Sequence, residues 1–329
     1  MVAVNRLFYQ FPVGKDFTVT FGGKVRQDDM LAMWPSAYPA DTVLDIFTYA
    51  GAPGAYNLNL GAGAGIWYKK NNWSVSANYV AANGDNGTPG TTCVLTAPGQ
   101  VCTPANTIPG GGIGTSYSQQ TGTVQVGYAA SNWGAAAAYN YSRNLGPAAG
   151  TPFSQVSTLL GSAGINSTLG ATNTMNSVGL SAYWQPSTNG WVPSISAGWG
   201  INGYSGADTA FAFGGVQSQS WYVGLQWNDA FIKGNALGMG FGQPTFITSY
   251  GSNTNVKNAL GNTPQDGNYA WEWWYKFQVT DNISVTPAIY YLSNPLGSLG
   301  FQANQRGNFD PASAGLTNFG GIVKTTFKF

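Results

Sequence analysis

Apolar and polar side chains alternate along this chain with a period of two over segments of about ten residues, the pattern of a β-strand with one apolar and one polar face. Between 269 and 279, Tyr269, Trp271, Trp273, Tyr275, Phe277 and Val279 share one face, while Glu272, Lys276 and Gln278 share the other with Trp274. The same split separates Phe17, Val19, Phe21 and Val25 from Thr18, Thr20, Lys24 and Arg26. It also separates Val178, Leu180, Ala182 and Trp184 from Ser177, Ser181 and Gln185. One such segment is a weak signal, and its repetition is the informative feature.

Thirteen segments of this kind can be read, near 4–11, 17–26, 58–69, 73–83, 117–130, 133–143, 174–185, 191–203, 216–228, 234–242, 268–279, 283–292 and 319–329. Their connections alternate between short and long. PVGKD, KKNN, SN, PSTNG, NDAFIKG and TDN are short; 27–57, 84–116, 144–173, 204–215, 243–267 and 293–318 are long. Tight turns at one end and large loops at the other are the plan of an outer-membrane barrel. No stretch approaches the roughly 18 consecutive apolar residues of a membrane helix. Trp and Tyr gather at segment ends (Trp67, Tyr68, Trp73, Trp133, Trp184, Trp191, Trp227, Tyr290, Tyr291), as rings at two membrane interfaces do. The expected fold is all-β: a transmembrane antiparallel β-barrel of outer-membrane type, with 1–329 as one barrel domain. Short turns on the periplasmic side make the thirteen segments begin outside and end inside. A barrel with both termini in the periplasm needs an even count, so further strands, and a further domain, are expected before Met1.

Composition narrows the function. Only 8% of the 329 residues are charged, against about 25% in a typical soluble protein. The net charge of +1 supplies no long-range field for nucleic acid. There is no His, which removes the usual general base, triad partner and zinc ligand. Glu272 is the sole Glu, and no neighbouring carboxylate in sequence forms a glycosidase pair with it. The expectation is a protein that is not an enzyme and needs no cofactor or metal. Cys93 and Cys102 lie in a Gly/Pro/Thr-rich stretch and read as a loop disulfide of an oxidising compartment, with free thiols as the other reading.

Candidate chemistry concentrates in the first long connection. Asp28, Asp29, Asp41 and Asp45 fall in it, just after Lys24 and Arg26, and Trp34, Tyr38, Ile46, Phe47 and Tyr49 suit packing against a wall better than standing in water. We expect 27–57 to fold into the lumen as a pore-constricting loop. Its carboxylates would face the wall cations Lys24, Arg26, Lys276, Arg306 and Lys324 and set ion preference by a transverse field. The other reading is an external lid with solvated acids. At the C-terminus GIVKTTFKF ends a strand on Phe327 and Phe329, which looks like an outer-membrane assembly signal.

LFYQFPVGKDFTVTFGGKVRQDDMLAMWPSAYPADTVLDIFTYAGAPGAYNLNLGAGAG at 7–65, WEWWYKFQVTDNISVTPAIYYLSNP at 271–295 and the terminal TTFKF resemble the cyanobacterial outer-membrane porins. These belong with the OprB-like carbohydrate-selective porin superfamily, and many carry the description iron uptake porin. The resemblance implies a barrel of about sixteen strands, commonly a homotrimer, behind an S-layer-homology domain that grips peptidoglycan and a coiled-coil stalk. Residues 1–329 carry the resemblance to the barrel alone, so the anchoring domain, the stalk and the opening strands are expected upstream, and peptidoglycan would be a partner only through that upstream domain. The function expected is a water-filled channel in the cell outer membrane, surrounded by its lipids, for inorganic ions and small hydrophilic solutes. A channel selective for carbohydrate or iron, and a mainly structural link from outer membrane to peptidoglycan, are the alternatives.

Overall fold

The computed structural model describes residues 4–39, 43–85, 89–91, 107–109, 112–115, 118–155, 174–205, 215–252, 254, 257, 262–297 and 316–328. Its strands are β1 (Leu7–Val13), β2 (Phe17–Arg26), β3 (Leu60–Lys70), β4 (Trp73–Ala81), β5 (Pro89–Thr91), β6 (Thr107–Pro109), β7 (Gln120–Ala129), β8 (Trp133–Arg143), β9 (Thr174–Trp184), β10 (Ser194–Ser205), β11 (Gln217–Asn228), β12 (Ala236–Ser249), β13 (Tyr269–Thr280), β14 (Ile283–Ser293) and β15 (Thr317–Phe327). Thirteen of them form one antiparallel sheet in which each strand pairs with the next, from β1 to β15, while β5 and β6 make a separate small hairpin. Among the described residues β1 and β15 are edges, so the sheet is open there.

The fold is all-β, and its polarity is the reverse of a soluble sheet's. On β9, Ser177 and Ser181 are buried whereas Val178 and Leu180 are exposed. On β4, Ser74, Ser76 and Asn78 are buried and Trp73 and Val75 exposed; on β7, Thr121, Thr123 and Gln125 are buried and Val124 and Val126 exposed. Aromatic rings band the apolar face near both ends of the strands. Trp73, Tyr128 and Trp133 touch in sequence by the short turns, with centroids 5.1 and 5.0 Å apart, and Trp221, Phe241 and Tyr269 do so nearer the long loops, at 5.4 and 6.1 Å.

What covers the polar face is the chain itself. The buried apolar residues Tyr38, Phe47, Tyr49, Ala50, Ala52, Ala55 and Tyr56 all come from the connection between β2 and β3. The Tyr38 amide donates to Ser196 Oγ on β10 at 3.0 Å, and its hydroxyl reaches Glu272 on β13, three strands further along. In a flat sheet those strands stand about 14 Å apart, further than one tyrosine spans. The sheet is therefore curled around this segment, and the core lies between them.

Three details correct the sequence reading. Val25, counted with the outward set of β2, is fully buried against Met30 and Val80. The register to β3 slips between Gly22 and Val25, and one extra residue in a strand turns every later side chain to the other face. Strand β12 runs on past 242 to Ser249 because it keeps its pairing to β11 that far, whereas its pairing to β13 ends at Gly242, two residues before Pro244, which has no N–H. The connection 84–116 is not all loop, since it carries the β5–β6 hairpin.

Candidate functional site

The segment 27–57 crosses the polar face and returns. A 3-10 turn at Gln27–Met30 starts it. Fully buried Gln27 donates from Nε2 to Ala55 O (2.7 Å) and Thr123 Oγ1 (2.6 Å) and accepts the Leu58 amide (3.0 Å), tying the two ends of the segment to each other and to β7. At the far side, Glu272 holds the tip. Its Oε1 accepts the Tyr38 hydroxyl at 2.7 Å and its Oε2 accepts the Leu44 amide at 2.6 Å, while Trp274 Nε1 donates to the same Tyr38 oxygen at 2.9 Å. On the way back the carbonyls of Ala50 and Gly51 accept Ser181 and Ser220 hydroxyls, and the Tyr56 hydroxyl donates to Gln125 Oε1 at 2.8 Å. The serines, threonines and amides of the strands thus satisfy loop groups that would otherwise be buried unpaired.

Glycine supplies the room. A Cβ on Gly198 would stand 1.9 Å from Ala50 O, and one on Gly224 would stand 2.6 Å from the Tyr38 ring. Both are closer than atoms approach, so the loop backbone and the tyrosine sit where the wall has no side chain. Burial raises the pKa of Tyr38 well above the ordinary tyrosine value, helped by the neighbouring Glu272 charge, and burial likewise raises those of Tyr49 and Tyr56. The three hydroxyls stay protonated as donors.

A second long connection also folds inward. The Ala148 amide donates to Pro53 O at 3.0 Å, and Gly150 makes an isolated parallel bridge to Thr245. Buried Asp266 accepts the Thr151 hydroxyl (2.6 Å) and the Ile247 amide (2.7 Å) through Oδ2. Phe153 packs beneath with Met175, Tyr204, Val216, Ile247 and Tyr250. Two buried carboxylates, Glu272 and Asp266, each hold one inward segment.

The acids singled out in the sequence are held locally. Asp28 pairs with Arg26 two residues before it, and Asp29 with Arg6 at 2.7 Å. Asp45 accepts from Tyr49 and Thr48 inside its own 3-10 turn, Asp45–Tyr49. Lys24 lies opposite Leu7 at the sheet edge. Lys276 and Lys324 are half-buried on the walls of β13 and β15, towards the short turns. Asp41, Arg306, Cys93, Cys102 and Phe329 lie outside the described residues, and Phe327 is exposed beside Ile283. The structure therefore brings Asp28 to Arg26, but it does not bring Asp28, Asp29 or Asp45 across to Lys276. Glu272, Gln27, Gln125 and Asp266 were missed as site residues. One available signal was Trp274, a large ring on an otherwise polar face beside the only Glu.

These features define a class: a curled, up-and-down antiparallel sheet with one apolar, exposed face and one polar face, on which the chain's own connections are packed. No family model matches the sequence. It is similar to the uncharacterized protein sll0772 of Synechocystis sp., 25% identical over 343 residues, covering 100% of this chain and 54% of that protein. It is also similar to the uncharacterized protein alr4550 of Nostoc sp., 29% identical over 164 residues, covering 50% of this chain and 23% of that protein. The chain spans about half the length of the first relative and less of the second. Among solved structures, the high-pH structure of Pseudomonas putida OprB aligns with a TM-score of 0.46 at 15% identity, over 97% of this chain and 70% of that one.

Proposed function

We propose that this chain is the wall and constriction of a passive, water-filled channel in the cell outer membrane, passing inorganic ions and small hydrophilic solutes. The observation that carries the reading is the inverted polarity. A surface of Val, Leu, Trp and Phe is costly in water and favourable in lipid, while a wall of Ser, Thr, Asn and Gln is the lining a hydrated path needs. The segment 27–57 narrows that path, held by Glu272 on β13, by Gln125 on β7 and by its own Gln27, which reaches Thr123 of β7. A general channel fits better than a carbohydrate-selective one. The buried rings of Tyr222 and Trp274 both pack on Tyr38, with centroids 6.4 and 6.3 Å from it, so among the described residues these three rings turn to one another and not to a passing sugar. The test is single-channel conductance of the protein in a planar bilayer. Wild type should give a stable conductance, and deletion of 30–52 should enlarge it. Folded protein with no conductance would overturn the channel, and an unchanged conductance in the deletion would overturn the constriction.

A further inference from the structure

The charges of the described residues are distributed unevenly along the strand axis. Lys15 lies in the first short turn, Lys69 and Lys70 end β3 at the second, and Lys233 sits between β11 and β12. Lys276, Lys324 and Lys328 stand on or just beyond β13 and β15 close to the same end. Seven of the nine lysines thus gather there, against three carboxylates, Asp16, Asp229 and Asp281. On the polar face at this end is a cavity of about 430 Å³, lined by Lys276 and Lys328 and, among others, by Asn228, Ser284, Thr286 and Thr326, with Pro39 of the inward segment as its roof. Asp229 also borders it, and its carboxylate already accepts the Gly234 amide at 2.8 Å and an Asn189 amide hydrogen.

We propose that this cavity is a binding site for small hydrophilic anions at the short-turn mouth of the channel. The inference rests on the channel reading and deepens it, since it names a solute class. Two ammonium groups converge on one cavity, and the hydroxyls and amides beside them can donate to the oxygens of a phosphate or carboxylate. Lysines gathered at one end of the strands raise the local anion concentration, and ionic screening over about 8 Å keeps that effect local to that end. Inorganic phosphate fits the cavity volume with water to spare.

The test uses inorganic phosphate as the probe on wild type, on Lys276→Gln with Lys328→Gln, and on Lys69→Gln with Lys70→Gln. All three are measured for chloride-over-potassium permeability ratio from reversal potentials, and for reduction of conductance by millimolar phosphate. Wild type is expected to prefer anions and to be blocked by phosphate. The cavity variant should lose the block about tenfold in phosphate concentration and lower the permeability ratio at least about twofold, while the turn variant keeps the block. Equal block in wild type and cavity variant, or equal loss in both variants, overturns the site while leaving the channel standing. Should folded protein not conduct at all, the channel reading fails. Phosphate binding measured by calorimetry on wild type and the cavity variant in detergent then decides the site alone, and equal or absent binding overturns it.

Discussion

The hydroxyl of Tyr38 donates to Glu272 Oε1 at 2.7 Å, across 234 residues of sequence, and so fixes the tip of an inward segment to the far wall of the sheet. Glu272 is fully buried and also accepts the Leu44 amide, so both its oxygens serve the same segment. Glu272→Gln replaces one acceptor by an NH2 group that confronts either a hydroxyl or an amide donor. Hydrogen bonds to a charged partner contribute about 1.5–3 kcal/mol each, and the variant should weaken docking by roughly that amount. Single-channel records would then show larger conductance with flicker between two levels. A trace from Glu272→Gln as quiet as that of wild type would mean that Glu272 does not hold the segment.

Tyr38→Phe tests the same contact from the other side. It removes the hydroxyl that Glu272 Oε1 accepts and that accepts from Trp274 Nε1, and the loss of a bond to a charged partner costs about 1.5–3 kcal/mol. Gly224→Leu should displace the ring sterically without touching the carboxylate, because the new Cβ would stand 2.6 Å from it. In both variants chymotrypsin should cut near Tyr38 and Phe47 faster than in wild type, while the sheet keeps its circular dichroism. Unchanged cleavage in the glycine variant would show that the segment is not seated on that wall.

Much of this fold could be read from the chain, and the reason is physical. Alternation reports a strand's two faces locally, so the boundaries of β2 and β8 match the periodic segments, while the slip in the register of β2 after Gly22 did not show in the alternation and Val25 was assigned to the wrong face. The clamp could not be read in this way. Glu272 and Leu44 are 228 positions apart, and no local period relates them. The charges misled for a different reason. Asp28 lies within reach of Arg26 because a 3-10 turn folds it back, so the pair closes on itself before either can face across a lumen. Gly198 and Gly224 marked the seat of the segment, but a glycine on a polar face states only that something approaches, not what.

The raised tyrosines give a pH dependence with a defined sign. Docked, Tyr38, Tyr49 and Tyr56 hold their protons above the ordinary tyrosine value. Released, each would ionise near pH 10. The undocked form therefore binds fewer protons in alkaline solution, and docking is intact below about pH 10 and weakens as pH rises through the raised values. Conductance measured between about pH 8 and pH 12 should climb in wild type. The climb should be shallower in Tyr38→Phe. A flat profile in wild type would mean that the segment does not leave the wall when these groups ionise.

Asp266 should behave as Glu272 does, at the second inward segment. Asp266→Asn puts an NH2 group where Oδ2 accepts both Thr151 and the Ile247 amide, or turns the remaining oxygen to them and strands the other contacts. Loss of one charge-assisted bond predicts about 1.5–3 kcal/mol of local stability. Hydrogen exchange at Thr151, Ser154 and Ile247 would accelerate, while exchange in β7 and β8 would not. Uniform acceleration across the sheet would instead make Asp266 a general support of the fold.

The outward face distinguishes a lipid-facing wall from a soluble sheet with an unusual surface. Leu180 is 48% exposed in the middle of β9. An arginine there would cost about 2–4 kcal/mol if the position lies at the bilayer midplane. On a water-facing surface the same exchange falls within about 0.5 kcal/mol. Thr326, on the polar face near the short turns, serves as the internal comparison, since an arginine there stays hydrated in a water-filled lumen. Denaturant titration in phospholipid vesicles should therefore destabilise Leu180→Arg and leave Thr326→Arg near wild type. Because both variants add one positive charge to the same chain, net charge cannot produce the difference, and equal stability of the two would remove the lipid from the outer face.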